Sequence, residues 1–296
     1  MKKINNIIII IFTSGCLFAG NEACDPMPHL KQGPGAKAAA MGAAFSSVAD
    51  DATCIYWNPA GMMQVSVFRT AISCMYSKLD HDRIYGFAGV YERSDETNTA
   101  LGVSWTGYYS NGVEGRDESG NFTGLLGSAG NTFSGSVAAV LSDTLKAGLS
   151  IKVHLLRLAD LQGNGFSFDA GVIFKPFGPL LKVGFVIKDV NTGIQWSSGR
   201  KEFIPFSVRA GAAYYFLPEK FVFTVEPEFI QNSAMKIHAG AEYLIDECIS
   251  VRVGVNDLKL SSGFGVKILN YAVDYSFLMD NNRLGDEHRL SLSACY

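Results

Sequence analysis

Beyond its first two dozen residues the chain has no apolar run long enough to cross a bilayer as a helix. Such a helix takes roughly 20 mostly apolar residues, and every later run meets a charge or a glycine within about ten. Helical anchorage downstream of the N-terminus is thereby excluded. Excess charge of one sign is missing too: 25 Lys and Arg against 28 Asp and Glu leave a net charge of −3 over 296 residues. Nothing in that balance suits nucleic acid or a basic membrane patch. The cysteines are Cys16, Cys24, Cys54, Cys74, Cys248 and Cys295, with no Cys-x-x-Cys spacing. If Cys16 leaves with a leader the remainder is odd, so neither a disulfide framework nor a zinc site is signalled, although a chance pair stays open.

Catalytic signatures are absent as well. There is no nucleophile elbow, no Walker-type glycine loop and no His-x-x-x-His pair. His29, His81, His154, His238 and His288 are scattered along the chain. His154 and His238 could meet inside a barrel, where a lining role outweighs a metal site. Glu226 and Glu228 share one strand face about 7 Å apart, a spacing common in polar lumens that does not by itself indicate hydrolysis. The reading is a non-enzyme with no cofactor and no metal.

What is present begins at Met1. "MKK" supplies a positive region, Ile7 to Phe12 an apolar one, and "TSGCLFAGNEA" small residues for cleavage. This is the build of a secretory signal peptide, too short for a spanning helix. We assign it to residues 1–19, with cleavage after Ala19; lipidation at Cys16 and a retained anchor are the alternatives. The chain leaves the cytoplasm.

From Ser66 onward the sequence alternates with period two. "ISVRVGVN" places Ile249, Val251, Val253 and Val255 on one face and Ser250, Arg252, Gly254 and Asn256 on the other. "MKIHAGAEY" and "FVFTVEPEF" repeat the pattern, as half-buried strands do. Fourteen strands are expected, starting near Ser66, Arg83, Thr99, Thr132, Leu145, Gly165, Leu180, Pro205, Phe221, Ala234, Cys248, Leu260, Asn270 and Glu287. One set of connections is short; the other holds the long ones, among them 111–131 and "NTGIQWSSGRKE". Membrane barrels have this asymmetry. A tilted membrane strand needs about 9–11 residues, which these segments have, whereas strands of globular sheets run nearer 5–6. The even count returns both ends to one side, and the last strand closes on Tyr296 in phase with Leu290, Leu292 and Ala294.

The expected fold is therefore all-β: a 14-stranded antiparallel transmembrane β-barrel in the bacterial outer membrane. Its charged partners point inward, because facing lipid at mid-depth they would each cost about 2–4 kcal/mol. They are Lys146, Lys152, His154, Asp169, Lys182, Arg209, Glu226, Glu228, Lys236, His238, Glu242, Arg252, Asp274 and Arg289. Structural lining is the first reading of this set and a path for a charged substrate the second.

A barrel this wide is either an open channel or plugged. The Ala- and Gly-rich segment before the first strand is placed to fold back into the lumen. Ala36 to Val48 suits a short helix, since Ala is the best helix former. Asp50 and Asp51 follow, then a strand-like "TCIYW", then Asn58-Pro59-Ala60-Gly61, where Pro59 fixes a turn and Gly61 lets the backbone leave in an otherwise disfavoured direction. The division is 1–19 signal peptide, 20–65 N-terminal helical hatch or plug, and 66–296 barrel.

"GAKAAAMGAAFSSVADDATCIYWNPAGM" resembles the N-terminal signature of the FadL-type outer-membrane transporters, and more closely that of their PorV/PorQ relatives. The ending "VDYSFLMDNNRLGDEHRLSLSACY" also resembles the PorV-like group, so the likeness spans nearly the whole mature chain. It implies a fourteen-stranded barrel with an N-terminal hatch. For the FadL branch it implies passive uptake of a hydrophobic or amphipathic small molecule, such as a fatty acid or lipid, through the hatch and a lateral opening in the wall. For the PorV branch it implies a subunit of type IX secretion that holds cargo at the cell surface. The carry-over is to the hatch residues Asp50, Asp51, Asn58, Pro59, Ala60 and Gly61, the last four chiefly structural. Fatty-acid specificity does not transfer, because the largest outer loop, 111–131, is polar and Gly-rich. Three roles follow: a transporter, with membrane lipids and an apolar small molecule as partners; a secretion or surface-assembly subunit, with protein partners; and a soluble exported ligand-binding β protein. None involves nucleic acid.

Overall fold

The computed structural model describes residues 31–64, 69–79, 83–116, 119–216, 220–279 and 285–296; the segment assigned to a signal peptide lies outside them. Fifteen strands are found among the described residues. They are β1 (Thr70–Leu79), β2 (Arg83–Ser94), β3 (Thr99–Arg116), β4 (Phe122–Ser142), β5 (Leu145–Leu158), β6 (Leu161–Phe174) and β7 (Leu181–Trp196). After these come β8 (Lys201–Phe203), β9 (Ser207–Phe216), β10 (Phe221–Ile230) and β11 (Lys236–Leu244). The last four are β12 (Ile249–Asn256), β13 (Lys259–Ile268), β14 (Tyr271–Leu278) and β15 (Glu287–Cys295). All pairings are antiparallel. β1 pairs with β15, and β6 with β7, so the sheet closes on itself. β8 lies on the same edge of β7 that β9 occupies further along, so the wall is fourteen strands around.

The two faces of these strands have exchanged the places they would take in a water-soluble protein. On β12 the charged Arg252 is 6% exposed while its neighbour Val253 is 61% exposed. The same inversion runs around the cylinder: Lys152, Asp169, Arg209, Glu226 and Arg289 are buried, and Leu101, Leu149, Phe223, Ile237 and Leu292 face outward. Monomeric proteins in water rarely expose contiguous apolar patches above a few hundred Å². A continuous apolar outer band belongs in lipid. Strands of about ten residues rising about 3.3 Å each, tilted about 40°, match an apolar band about 25 Å tall.

Cross-strand register places an outward row Trp105–Phe133–Val153–Phe166, reaching Phe203 through Gly193. The Trp105 indole donates to Asn131 Oδ1 at 2.9 Å, one outward position nearer the hairpin tips. An apolar ring with a polar tip at such a boundary is what an interfacial girdle requires.

Several expectations change. Residues 111–131 are not a loop: β3 continues to Arg116 and β4 begins at Phe122. Past the Ser110–Ser128 pair, and a bulge before Val113, the two strands pair only with each other as a ribbon above the rim. Beyond the bulge Val113 pairs with Leu126 and Glu114 with Leu125. The long connection expected at "NTGIQWSSGRKE" contracts to 197–200, because β7 runs to Trp196 and β8 starts at Lys201. The first described strand begins at Thr70 rather than Ser66, with 65–68 outside the described residues.

The N-terminal segment 31–64 fills the lumen. Its helices are α1 (Ala36–Ala40) and α2 (Cys54–Trp57), followed by a 3₁₀ turn at Pro59–Met63. The helix expected over Ala36–Val48 stops at Ala40, because Gly42 and Ala43 take positive φ of 64° and 63°. "TCIYW" is a helical turn, not a strand. A closed barrel offers no free strand edge inside, so this stretch satisfies its own backbone: Tyr56 and Trp57 N–H donate to Thr53 O, and Asn58 N–H to Cys54 O.

Candidate functional site

Small residues decide how close the plug can lie to the wall. Many inward positions of the strands are glycine, and the plug's backbone occupies the missing side chains' space. A Cβ on Gly254 would sit 2.1 Å from Gly42 N, and one on Gly171 would sit 2.1 Å from Asn58 Oδ1. The Asn-Pro-Ala-Gly turn is a fastening built on that contact. Asn58 Oδ1 accepts from Ala60 N–H, while its Nδ2 donates to Ser46 O at 2.9 Å and to Val172 O of β6 at 3.1 Å. Pro59 opens the 3₁₀ turn. Gly61 is needed for space, not for a left-handed backbone as the sequence suggested: a Cβ there would lie 2.4 Å from Ala49 O.

An irregular buried chain leaves carbonyls without partners, each costing about 1–3 kcal/mol if unmet. The lumenal side chains meet them. Arg289 donates to Gly33 O at 2.5 Å, Ser261 to Ala40 O at 3.2 Å, Arg209 to Ala43 O at 3.1 Å and Thr224 to Ala44 O at 3.1 Å. His238 Nδ1 lies 3.2 Å from Gly42 O. Glu226 Oε2 accepts from both Ser46 N–H (2.8 Å) and Ser46 Oγ (2.6 Å).

The same groups form ion clusters with one another. Arg209 makes a two-pronged contact with Glu228 at 2.9 and 2.8 Å and reaches Glu226 at 3.2 Å; His238 Nε2 is 3.1 Å from Glu228. Arg252 joins Glu242 to Asp274, the latter at 2.6 Å. Beside it the plug's Lys37 binds both oxygens of Asp50, at 2.9 and 2.8 Å. Asp51 Oδ1 accepts from Thr53 N–H at 2.8 Å and from its hydroxyl. Burial, and then the charge of Asp50, push the Asp51 carboxyl from its ordinary 3.8 up to about 6.

A third cluster marks where the wall itself is irregular. Lys152 bridges Asp169 (2.6 Å) and Asp189 (2.9 Å), and the Asp189 N–H donates to Asp169. The next cation, Lys188, lies 3.2 Å from the centre of the Tyr56 ring of α2, a close cation–π contact. Here β7 bulges: Asp189 and Asn191 adopt φ of 59° and 60°, and its register with β6 shifts twice. On its other edge β7 pairs with β9 up to Lys188–Ser207 and with β8 from Gly193–Phe203. Between these, residues 189–192 face 204–206, bridged by the Ile204 N–H to Thr192 carbonyl bond at 3.1 Å. Pro205 has no N–H to offer. The wall thus carries a notch just below the outer aromatic row. Behind it is a cavity of about 10 Å³ lined by Tyr56, Lys188, Asp189, Ile204, Pro205 and Arg209 among others, room for about one water.

The structure brings Arg209, Glu226, Glu228 and His238 together, and Glu242 with Arg252. Asp50 stands beside the second group through Lys37, and Asn58 to Gly61 sit against β5 and β6. Sequence reasoning passed over Lys188, Asp189, Tyr56 and Ser46. A signal for the first two exists: alternation loses phase at "IKDVNTG", and Asp and Asn are the residues that tolerate a left-handed backbone.

The chain is thus a closed barrel of fourteen antiparallel strands, filled by its own N-terminal segment, with charged side chains inside and apolar ones outside. Among solved structures the chain is similar to the toluene transporter TodX of Pseudomonas putida, with TM-score 0.64 and 12% identity over 88% of this chain and 96% of that one. A deltaS2S3 mutant of TodX, a monoaromatic hydrocarbon channel, gives 0.63 and 10% over 88% and 97%. At such identities the likeness is one of fold. No protein-family model matches the chain, and no curated protein matches it in sequence.

Proposed function

We propose that this protein resides in the outer membrane after loss of residues 1–19 and lets hydrophobic or amphipathic small molecules pass inward by diffusion. Segment 20–65 acts as the hatch and 66–296 as the wall. The observation that carries the reading is the coincidence of a filled lumen with a notched wall. The plug lies across the axial route that water-soluble solutes would take, whereas an apolar molecule displacing the plug near Tyr56 meets the notch in the wall. The fold shared with a toluene transporter and a monoaromatic hydrocarbon channel supports this substrate class. In this reading Asp50, Asp51 and Asn58 to Gly61 fasten the hatch and do not contact ligand.

Planar-bilayer conductance, measured beside uptake of labelled toluene or a labelled fatty acid into expressing cells, tests the proposal. Uptake above the empty-vector rate without steady ion conductance is expected. Steady conductance of an open pore, or uptake at the vector rate, overturns it.

One feature favours a second reading as a secretion or surface-attachment subunit. The ribbon above the rim exposes Phe122 (59%) and Leu125 (67%) beyond the girdle, a surface a protein partner could cover. A stoichiometric protein companion after detergent purification would select that role.

A further inference from the structure

On β4, β5 and β6 the outer face is apolar up to two successive rows. Below them lies Phe133–Val153–Phe166, part of the aromatic girdle. The first polar row is Asn131–Leu155–Asn164 and the second Ala129–Arg157–Gln162, each set by direct cross-strand pairing. These residues border a depression of about 590 Å³ on the outer surface. Ala129 leaves space at its edge, since a larger side chain opposite Arg157 would fill it. An exposed arginine on the lipid side of a strand is tolerated at about 0–1 kcal/mol only near the interface, so Arg157 stands at headgroup level.

The donors are unequally committed. Arg157 Nε donates to Ala159 O at 3.2 Å, which steadies the guanidinium and leaves its two terminal nitrogens for a ligand. Among the described residues Arg157 makes no ion pair; the nearest carboxylate in sequence, Asp160, is in the exposed turn to β6. Asn131 has its acceptor taken by Trp105, which leaves its amide N–H groups to donate. An arginine fork with amide donors around it matches a phosphate monoanion or dianion. Leu155, Val153 and Phe166 continue directly beneath and match an acyl chain.

We propose that this depression binds the phosphate headgroup of an anionic outer-leaflet lipid, with Arg157 as the principal contact and Gln162, Asn131 and Asn164 as the flanking donors. The site lies outside the lumen and does not depend on the transport reading.

Native mass spectrometry of the full-length protein in a neutral detergent tests it, with phosphatidic acid, diacylglycerol of the same chains, and inorganic phosphate as separate probes. The wild type is expected to retain one phosphatidic acid through detergent exchange and no diacylglycerol. Arg157→Gln should weaken retention about tenfold, and Gln162→Ala should weaken it less. Both side chains are exposed, and heat-modifiable gel mobility confirms that each variant has folded. Equal retention by wild type and Arg157→Gln overturns the proposal, as does equal retention of diacylglycerol. Displacement of the lipid by equimolar inorganic phosphate also overturns it, because the site would then recognise a free anion.

Discussion

Arg209 shows why lumenal charge does not imply a conducting path. Its guanidinium is consumed by Glu228, Glu226 and the Ala43 carbonyl, and it lies 5.2 Å from the Trp57 ring centre. Charges held this way are mortar between plug and wall. Asp51 is the residue where that arrangement responds to pH. Its folded carboxyl titrates at about 6 rather than 3.8, so the native state binds the proton more tightly than the unfolded chain does. The stabilisation from that proton is complete below about pH 4 and is lost as pH rises through about 6. Thermal unfolding of wild type and Asp51→Asn across pH 4 to 8 should coincide at the acid end and diverge above pH 6, the variant being the more stable. Asn retains an acceptor for Thr53 without the charge facing Asp50. Superimposable profiles would remove Asp51 from the account.

At the scale of elements, the inward glycines do what helix packing does elsewhere: they let one layer approach another. Gly254 on β12 lies opposite Gly42, and the wall cannot retreat because β12 is hydrogen-bonded on both edges. Gly254→Val should therefore push the plug from its seat and open a leak, seen as ion conductance in planar bilayers where the wild type is silent. A variant as silent as the wild type would mean that the plug has slack.

These elements differ in how far the sequence announced them. β2, β3, β5, β10 and β15 begin where alternation says, at Arg83, Thr99, Leu145, Phe221 and Glu287, because a strand with lipid on one face must keep strict phase. Where lipid is absent the signal fades. The ribbon above the rim is polar on sequence and still paired, and α2 reads as a strand because Ile55, Tyr56 and Trp57 are all buried and show no period. The charged lumen was legible as a class of residue. That its members cap individual plug carbonyls was not, since such contacts join residues about 200 positions apart, as Arg209 and Ala43 or Arg289 and Gly33 do at 166 and 256.

Across the whole molecule the irregularities are not spread evenly. The β7 bulges, the β7–β9 break, Pro205 and the Lys152–Asp169–Asp189 cluster fall in one sector, and that sector faces Tyr56 of the plug. From β10 to β15 the strands pair in continuous register, and the plug packs on β12 to β15 through α1 and on β3 to β6 through the Pro59–Met63 turn. In the proposed passage the plug moves aside at this notch. That is the central claim, and a reversible tether tests it most directly. A Cβ placed at Gly211 on β9 would lie 2.7 Å from Ser46 Oγ of the plug, close to the geometry a disulfide needs. Uptake of labelled toluene or fatty acid should be measured for the Ser46→Cys, Gly211→Cys double variant, oxidised and then reduced, with wild type treated identically. Uptake is expected to be abolished by oxidation and restored by reductant in the double variant alone. Undiminished uptake through the locked plug would contradict it.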